Sequence, residues 1–218
     1  MSEFILRNSF LKSAHVLQKD IAKKVWKALS LFLANPQHPG LHYEKLQAPS
    51  GQWSSIRVDQ NYRIILIPGI TYTVLGYVGR HDDAYKFANL KQPIPEDQAS
   101  MVMAEQPAEY GGQRKMESAA RISIEAIGDL LIRTVKYLPL SAHLLSLPET
   151  ARSIALAFND IERIIGNSLP PSARTYRAWW ANDKSRHVQA SAWMAVGWKT
   201  VDVKMAAETV TFERQSMS

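Results

Sequence analysis

The chain has 218 residues, 46% of them hydrophobic and 21% charged, a composition typical of a globular protein with one large domain or two small ones. Its 26 Lys and Arg residues outnumber 20 Asp and Glu residues, and the net charge of +6 favours a polyanionic partner such as nucleic acid. The absence of cysteine excludes disulfides, thiolate zinc sites and thiol nucleophiles. Because the sequence shows no signal-peptide pattern and no apolar run of ~20 residues, it predicts a cytoplasmic protein without membrane contact.

Charge is distributed unevenly along the chain. Residues 1–94 hold twelve Lys and Arg against six Asp and Glu, residues 95–133 hold four against seven, and residues 134–218 hold ten against seven. Residues 95–117 are rich in Pro, Gly, Gln and Glu and poor in large apolar side chains, which indicates a linker. We therefore predict a basic domain at 1–94, an acidic linker at 95–120 and a second domain at 121–218.

The first domain is predicted to have the element order β-α-β-β-β-α. A short apolar strand at residues 4–6 precedes a helix at about residues 13–33, in which apolar residues recur every three or four positions. Pro and Gly in residues 35–40 end this helix. An antiparallel meander of three strands and a closing helix follow, at residues 53–57, 62–67, 72–78 and 82–89.

The second domain is predicted to be a small α+β unit. Helical spacing of apolar residues resumes after Ser123, a suitable N-cap. A strand, two helices and a terminal hairpin follow, at residues 153–157, 158–166, 187–195, 199–203 and 209–214. We expect Asn159 to cap the first of these helices and Gly166 to end it. The order helix, helix, hairpin also fits a winged-helix-like DNA-binding domain.

The most informative motif lies where the third strand of the meander meets the closing helix. His81 and Tyr85 are four residues apart, a spacing that brings two side chains to one helical face. The preceding hairpin carries Arg57 and Arg63, which we expect to point to the same place. Guanidinium groups beside an imidazole and a phenol suit phosphodiester cleavage. The other histidines show no metal-ligand spacing, so we expect neither a metal ion nor a cofactor.

These residues also have simpler structural explanations. Arg63 could form only a salt bridge at a sheet edge, as many surface arginines do. Asp82 and Asp83 suit a helix N-terminus, where acidic side chains interact favourably with the helix dipole.

The motifs of the first domain resemble the RelE/ParE superfamily of bacterial toxins. The resemblance is carried by residues 40–46, 56–66 and 78–85, and the wording His-Asp-Asp-Ala-Tyr is most similar to RelE-like domains attached to UvrD-like DNA helicases. It implies a metal-independent endoribonuclease that cleaves mRNA, in some members on the ribosome, by attack of the ribose 2′-hydroxyl on the adjacent phosphate. An antitoxin protein is an implied partner. The alternatives are a gyrase-poisoning toxin and a non-catalytic nucleic-acid-binding module of a defence or DNA-repair system.

The resemblance also assigns roles to individual residues. Arg63 matches the arginine that holds the phosphate, and Arg57 lies where many members have a basic strand residue. Tyr85 matches a tyrosine that stacks on or orients the substrate, and His81 stands where arginine is common and can act as acid or base. Glu44, a candidate base, and Lys45 follow the loop before the strands. The implied catalytic residues are thus Glu44, Lys45, Arg57, Arg63, His81 and Tyr85.

The second domain resembles an uncharacterised bacterial family that shares an Ala-Trp-Trp-Ala-Asn core. Four of the six tryptophans of the chain lie between residues 179 and 198. Exposed tryptophans could stack on bases while neighbouring cations bind phosphates, but tryptophans of a small domain equally suit its core. The candidate nucleic-acid-binding residues, which could contact RNA or DNA, are Arg174, Arg177, Trp179, Trp180, Lys184 and Arg186.

Overall fold

The computed structural model describes residues 3–47, 53–69, 72–90, 120–148 and 150–215, and their fold is α+β, as predicted. Their strands, β1 to β9, are Glu3–Leu6, Glu44–Lys45, Ser54–Arg57, Tyr62–Pro68, Tyr72–Arg80, Ala120–Ile122, Ser153–Ala157, Trp198–Lys204 and Thr209–Arg214. Their α-helices, α1 to α8, are Asn8–His15, Lys19–Ala34, His81–Leu90, Ile124–Gly128, Leu138–Leu145, Phe158–Ile165, Pro171–Thr175 and Ser191–Met194. Within these ranges no helix combines the length and hydropathy needed to cross a membrane.

The first sheet has the strand order β2-β3-β4-β5-β1-β6 in the described part of the chain. The predicted meander is confirmed, because β3, β4 and β5 pair antiparallel with their neighbours in sequence. β1 pairs parallel with β5, and β6 adds an antiparallel strand to the outer edge of β1. Residues 120–122 therefore extend a sheet that begins at Glu3. The proposed domain boundaries at residues 94 and 120 stay a prediction, since residues 91–119 lie outside the described ranges.

The two faces of this sheet contact different helices. Side chains alternate along a strand, so Ile64 and Leu66 of β4 join one hydrophobic cluster with residues of α1 and α2. Ile65 and Ile67 join a second cluster with Trp53 and the small residues of α3. We call the side that packs against α3 the α3 face.

The predicted helix at residues 13–33 is wrong in one respect, because two helices replace it. α1 ends at His15, and Gln18, in an extended conformation, starts α2. Leu17 lies between the helices but remains buried. Both helices bury their apolar faces in the same cluster, so the apolar spacing continues across the break and conceals it. The predicted end of the helix is confirmed, since α2 stops at Ala34.

The second sheet has the order β7-β9-β8, and the predicted terminal hairpin is confirmed as β8 and β9. Gly166 ends α6 in the left-handed region, at φ 64°, as expected. The expected cap was wrong: Ala157 occupies the N-cap and Asn159 lies inside the helix. The predicted helix at 187–195 is shorter, a 3-10 turn at Val188–Ala190 followed by α8.

Helix α5 was not predicted because its sequence lacks an amphipathic pattern. Six of its eight residues are buried, so apolar side chains surround the helix instead of forming a stripe. Its central position explains this composition: α5 packs against α1 on one side and against α6 and α8 on others.

The parts before and after residue 120 share one hydrophobic cluster. Trp26 of α2 donates its indole N–H to the carbonyl oxygen of Ile124, and its ring lies over Gly128, where a Cβ atom would come within 2.8 Å of the indole nitrogen. His15 of α1 forms a 3.0 Å hydrogen bond with the carbonyl oxygen of Val135. The later part of the chain thus covers α1 and α2, on the side of the sheet opposite the α3 face.

Candidate functional site

The turn between β3 and β4 sets the positions of the two candidate arginines. The carboxylate of Asp59 accepts hydrogen bonds from the backbone N–H groups of Asn61 and Tyr62, at 2.9 and 3.0 Å. Such a side-chain turn fixes the register of a hairpin. Arg57 and Arg63 are directly opposite each other in this register, and both lie on the α3 face.

Arg63 is buried, with 8% of its surface exposed. Its Nη1 donates to the carbonyl oxygens of Asp59 and Tyr62, at 2.9 and 3.1 Å, which orients the guanidinium. Burial lowers the pKa of Arg63, and the neighbouring charge of Arg57 lowers it further. An arginine nevertheless stays protonated in proteins. Two like charges are therefore held side by side, an arrangement that an anion bound between them would relieve.

Arg57 is held by a histidine that sequence reasoning missed. Its Nη1 donates to Nε2 of His42 at 3.0 Å, so this ring nitrogen carries no proton. Nε of Arg57 is buried and has no hydrogen-bond partner among the described residues. His42 has a left-handed backbone, at φ 42° and ψ 52°, directly after the 3-10 turn Pro39–Leu41. Strained backbone of this kind clusters at functional sites, and the Pro-Gly pair before it is the signal that the sequence offers.

Strand β2 contributes one of its two candidate residues to the α3 face. Glu44 pairs with Ser55, and its negative charge raises the pKa of Arg63, opposing the effect of burial. Lys45, the next residue, therefore lies on the opposite face. Ser55 was also missed: it is completely buried, and its hydroxyl has no hydrogen-bond partner in the described part of the chain.

His81 and Tyr85 lie together, as their spacing predicts. Their rings stack at 4.4 Å between centroids with an angle of 24°. The backbone N–H of His81 donates to the carbonyl oxygen of Asn61 at 2.8 Å, which fixes the start of α3 beside the arginine-bearing hairpin. Nδ1 of His81 lies 3.0 Å from the carboxylate of Asp82. Nε2 of this half-exposed imidazole has no hydrogen-bond partner among the described residues.

Tyr77 of β5 lies beside the arginine pair, across β4 from Arg57. Gly79 is opposite Arg63 in the register, and a Cβ atom there would lie 2.6 Å from the ring of Tyr77. Burial raises the pKa of Tyr77, and the charge of Asp83 raises it further, so the phenol stays neutral. The described residues contain no group of three acidic or histidine side chains arranged to hold a metal ion.

Two of the predicted nucleic-acid-binding residues have structural positions. Trp180 is 1% exposed and donates its indole N–H to the carbonyl oxygen of Ala173, so its ring is not open to a base in this arrangement. Arg174 bonds to Asn159, Glu162 and Glu208, at 2.8, 3.0 and 2.6 Å. The hydrogen bonds that Arg174 donates to the carboxylates of Glu208 and Glu162 raise its pKa. Its charge is therefore already balanced within the protein.

The other four predicted nucleic-acid-binding residues are exposed or half-buried. Arg177 is exposed and has no ion-pair partner among the described residues, and Arg186 is exposed with its Nε 3.8 Å from Asp183. Trp179 and Lys184 are half-buried.

In the Ala-Trp-Trp-Ala-Asn core, the side chain of Asn182 makes hydrogen bonds to both α8 and β8. The side-chain oxygen of Asn182 accepts hydrogen bonds from Nε1 of Trp193 and from the backbone N–H and hydroxyl of Thr200, at 3.0, 2.9 and 3.0 Å. Its amide nitrogen donates to the carbonyl oxygen of Thr200 at 2.8 Å. One side chain therefore ties the segment after Trp180 to both α8 and β8, a role that the sequence alone did not suggest.

Comparisons with known proteins give one partial family match and low-scoring similarities to solved structures. Residues 137–216 match a family model described as a domain of unknown function, DUF7662. No curated protein sequence matches. Among solved structures, the chain is similar to YafQ from E. coli strain BL21(DE3), with 15% identity, a TM-score of 0.34 and coverage of 38% of this chain and 97% of that one. A copper-bound mutant toxin from Helicobacter pylori gives 16% identity and a TM-score of 0.31, covering 38% of this chain and 98% of that one. At TM-scores this low, the function must be argued from the site itself.

Proposed function

We propose that the α3 face is the active site of a metal-independent endoribonuclease that cleaves mRNA. The observation that carries the proposal is the arginine pair: Arg57 and Arg63 are opposite each other, and Nε of Arg57 is buried without a partner in the described residues. A buried cationic donor without an acceptor is costly. A phosphate oxygen would supply the acceptor and offset the repulsion between the two charges.

The proposed reaction is an internal transesterification. The ribose 2′-oxygen forms a bond to the adjacent phosphorus while the bond from phosphorus to the leaving 5′-oxygen breaks. The carboxylate of Glu44 takes the proton from the 2′-hydroxyl, and protonated His81 gives a proton from Nε2 to the leaving oxygen. The products end in a 2′,3′-cyclic phosphate and a 5′-hydroxyl.

The other groups stabilise charge and orient the substrate. Arg57 and Arg63 hold the phosphate oxygens on which negative charge develops in the transition state. Tyr85, stacked on His81, keeps the imidazole in place and offers the rest of its ring to a base of the RNA. Lys45 lies on the opposite face and has no part in this mechanism.

The test is RNA cleavage by the full-length chain, with and without ribosomes, followed by analysis of the new ends. Arg63→Ala should lower the cleavage rate by about 10²-fold or more, the usual scale for losing a transition-state charge partner. Arg80→Ala is the matched control, since Arg80 is an exposed arginine at the end of β5 that pairs with Tyr62 on the other face. Cyclic-phosphate ends support the proposal. Cleavage at the wild-type rate by Arg63→Ala/His81→Ala protein would overturn it, as would binding of RNA without cleavage.

A further inference from the structure

A second surface lies between residues 171–187, which we call the α7 segment, and the terminal hairpin formed by β8 and β9. It is far along the chain from the residues proposed to cleave RNA. The elements from α5 to β9 follow the order helix, strand, helix, helix, helix, strand, strand, and the sheet order is β7-β9-β8. Apart from the four-residue α8 before the hairpin, this is the order of a winged-helix domain, in which a helix-turn-helix precedes a hairpin that forms the wing. α6 and α7 form the helix-turn-helix, with Gly166 at the start of the turn. We propose that this surface binds duplex DNA.

A network of ion pairs makes the surface rigid. Arg174 of α7 bonds to Glu162 of α6 and to Glu208 at the tip of the hairpin. The backbone carbonyl of Glu208 accepts a 2.7 Å hydrogen bond from the N–H of Phe158, at the start of α6. Both helices and the wing are thus fixed to one another before any partner binds, which lowers the entropic cost of binding.

The balance of charge on this surface favours a polyanion. Residues 174–187 contain four Lys and Arg but a single carboxylate, Asp183. Since Arg174 is neutralised by its own partners, Arg177, Lys184 and Arg186 supply the excess. Tyr176 lies beside Arg177 and is 63% exposed. Arginine, lysine and tyrosine side chains are the usual donors to the phosphates of DNA.

A groove of about 380 Å³ between residues 177–182 and β8 provides a binding position for one DNA strand. Arg177 lines one side, and Val201 and Val203 line the other. A β-bulge between Thr200 and Asp202 leaves Val201 unpaired and 44% exposed, and bulges of this kind re-aim a side chain. Arg177 is positioned to bind a phosphate, while the valines contact the deoxyribose beside it.

The orientation of the tryptophans favours a duplex over a single strand. Proteins that bind single strands stack successive bases on exposed aromatic rings. Three of the four clustered tryptophans, Trp180, Trp193 and Trp198, are at most 1% exposed. The surface therefore offers cations and a groove, but few rings on which unpaired bases could stack.

The test is fluorescence anisotropy of a labelled duplex of about 30 base pairs, titrated with the full-length chain over a range of salt concentrations. The double variant Arg177→Ala/Arg186→Ala should bind at least about tenfold more weakly at low salt. Its slope of log affinity against log salt should be shallower by about 2, since each lost phosphate contact removes about 0.9. The matched control is Arg133→Ala/Arg152→Ala, which removes two charges from exposed arginines outside the α7 segment and the hairpin.

The outcomes separate this proposal from the ribonuclease. Equal affinity of the two double variants would overturn the DNA-binding surface. Tighter binding of single-stranded RNA or of an acidic peptide than of duplex DNA would also overturn it, if that binding is lost in the Arg177→Ala/Arg186→Ala variant and kept in the Arg63→Ala/His81→Ala variant. Arg63→Ala/His81→Ala protein should bind the duplex as tightly as wild type does, while Arg177→Ala/Arg186→Ala protein should still cleave RNA. Loss of duplex binding in the Arg63→Ala/His81→Ala variant would contradict the assignment of DNA to the second surface.

Discussion

Replacing Asn182 by alanine tests whether one side chain holds the segment after Trp180 to α8 and β8. Trp193 is completely buried, so its indole N–H would lose its acceptor, but Asn182 itself is exposed and lines the groove beside β8, so water can replace part of that bond. An unsatisfied buried donor costs about 1–3 kcal/mol, and access of water brings the cost toward the lower end. The backbone N–H of Thr200 loses the same acceptor, while the hydroxyl of Thr200 keeps its 2.6 Å bond to the carbonyl oxygen of Trp180. We expect Asn182→Ala to lower the free energy of unfolding by about 1–3 kcal/mol.

The measurement is urea unfolding of the full-length chain, followed by tryptophan fluorescence, which the four clustered tryptophans should dominate. Asn182→Asp retains the oxygen that accepts three hydrogen bonds but places a carboxylate oxygen against the carbonyl oxygen of Thr200, so it should also lower the free energy of unfolding. Asn167→Ala, at an exposed asparagine in the turn after α6, should change the free energy of unfolding by less than about 0.5 kcal/mol. If Asn182→Ala unfolds at the same urea concentration as Asn167→Ala, Asn182 does not hold these elements together.

Two further predictions concern the α3 face. His42→Asn keeps a side chain that can accept from Arg57 and that tolerates a left-handed backbone, so it should cleave RNA faster than His42→Ala; equal rates would show that the contact does not position Arg57. Burial opposes ionisation of Asp59, but bonds from Lys24 and from the backbone of Asn61 and Tyr62 hold its pKa below the ordinary value. Its contribution to stability is therefore complete at neutral pH and is lost as the pH falls below about 4. Thermal unfolding of Asp59→Asn should show a smaller loss of Tm in that range than wild type, and identical pH profiles would refute this.

Local patterns predicted the parts of the site that depend on neighbouring residues. The stacking of His81 on Tyr85 follows from helical spacing, and the shared face of Arg57 and Arg63 follows from a short hairpin. Other contacts depend on partners that are distant in the sequence. Arg174 is neutralised by Glu208, which lies in the terminal hairpin.

The remaining features that the sequence did not show depend on which side chains face the core. The sequence left open whether Trp180 stacks on a base or lies in the core, and its ring stacks on Phe158 at 4.9 Å in the interior. No local pattern distinguishes a buried from an exposed tryptophan, because the surrounding elements decide which side of a short 3-10 turn faces the core. The same holds for His42, whose importance depends on a contact with Arg57 across the sheet edge.

The pairing of β6 with β1 affects the order in which the chain can fold during synthesis. β1 precedes the other strands of its sheet in the chain, but in the described part of the chain its outer edge pairs with residues 120–122. The first sheet can therefore be completed only after residues 120–122 have been synthesised. Until then the apolar outer edge of β1 stays open to pairing with other chains, so we expect a nascent chain to depend on chaperones until β6 has been made.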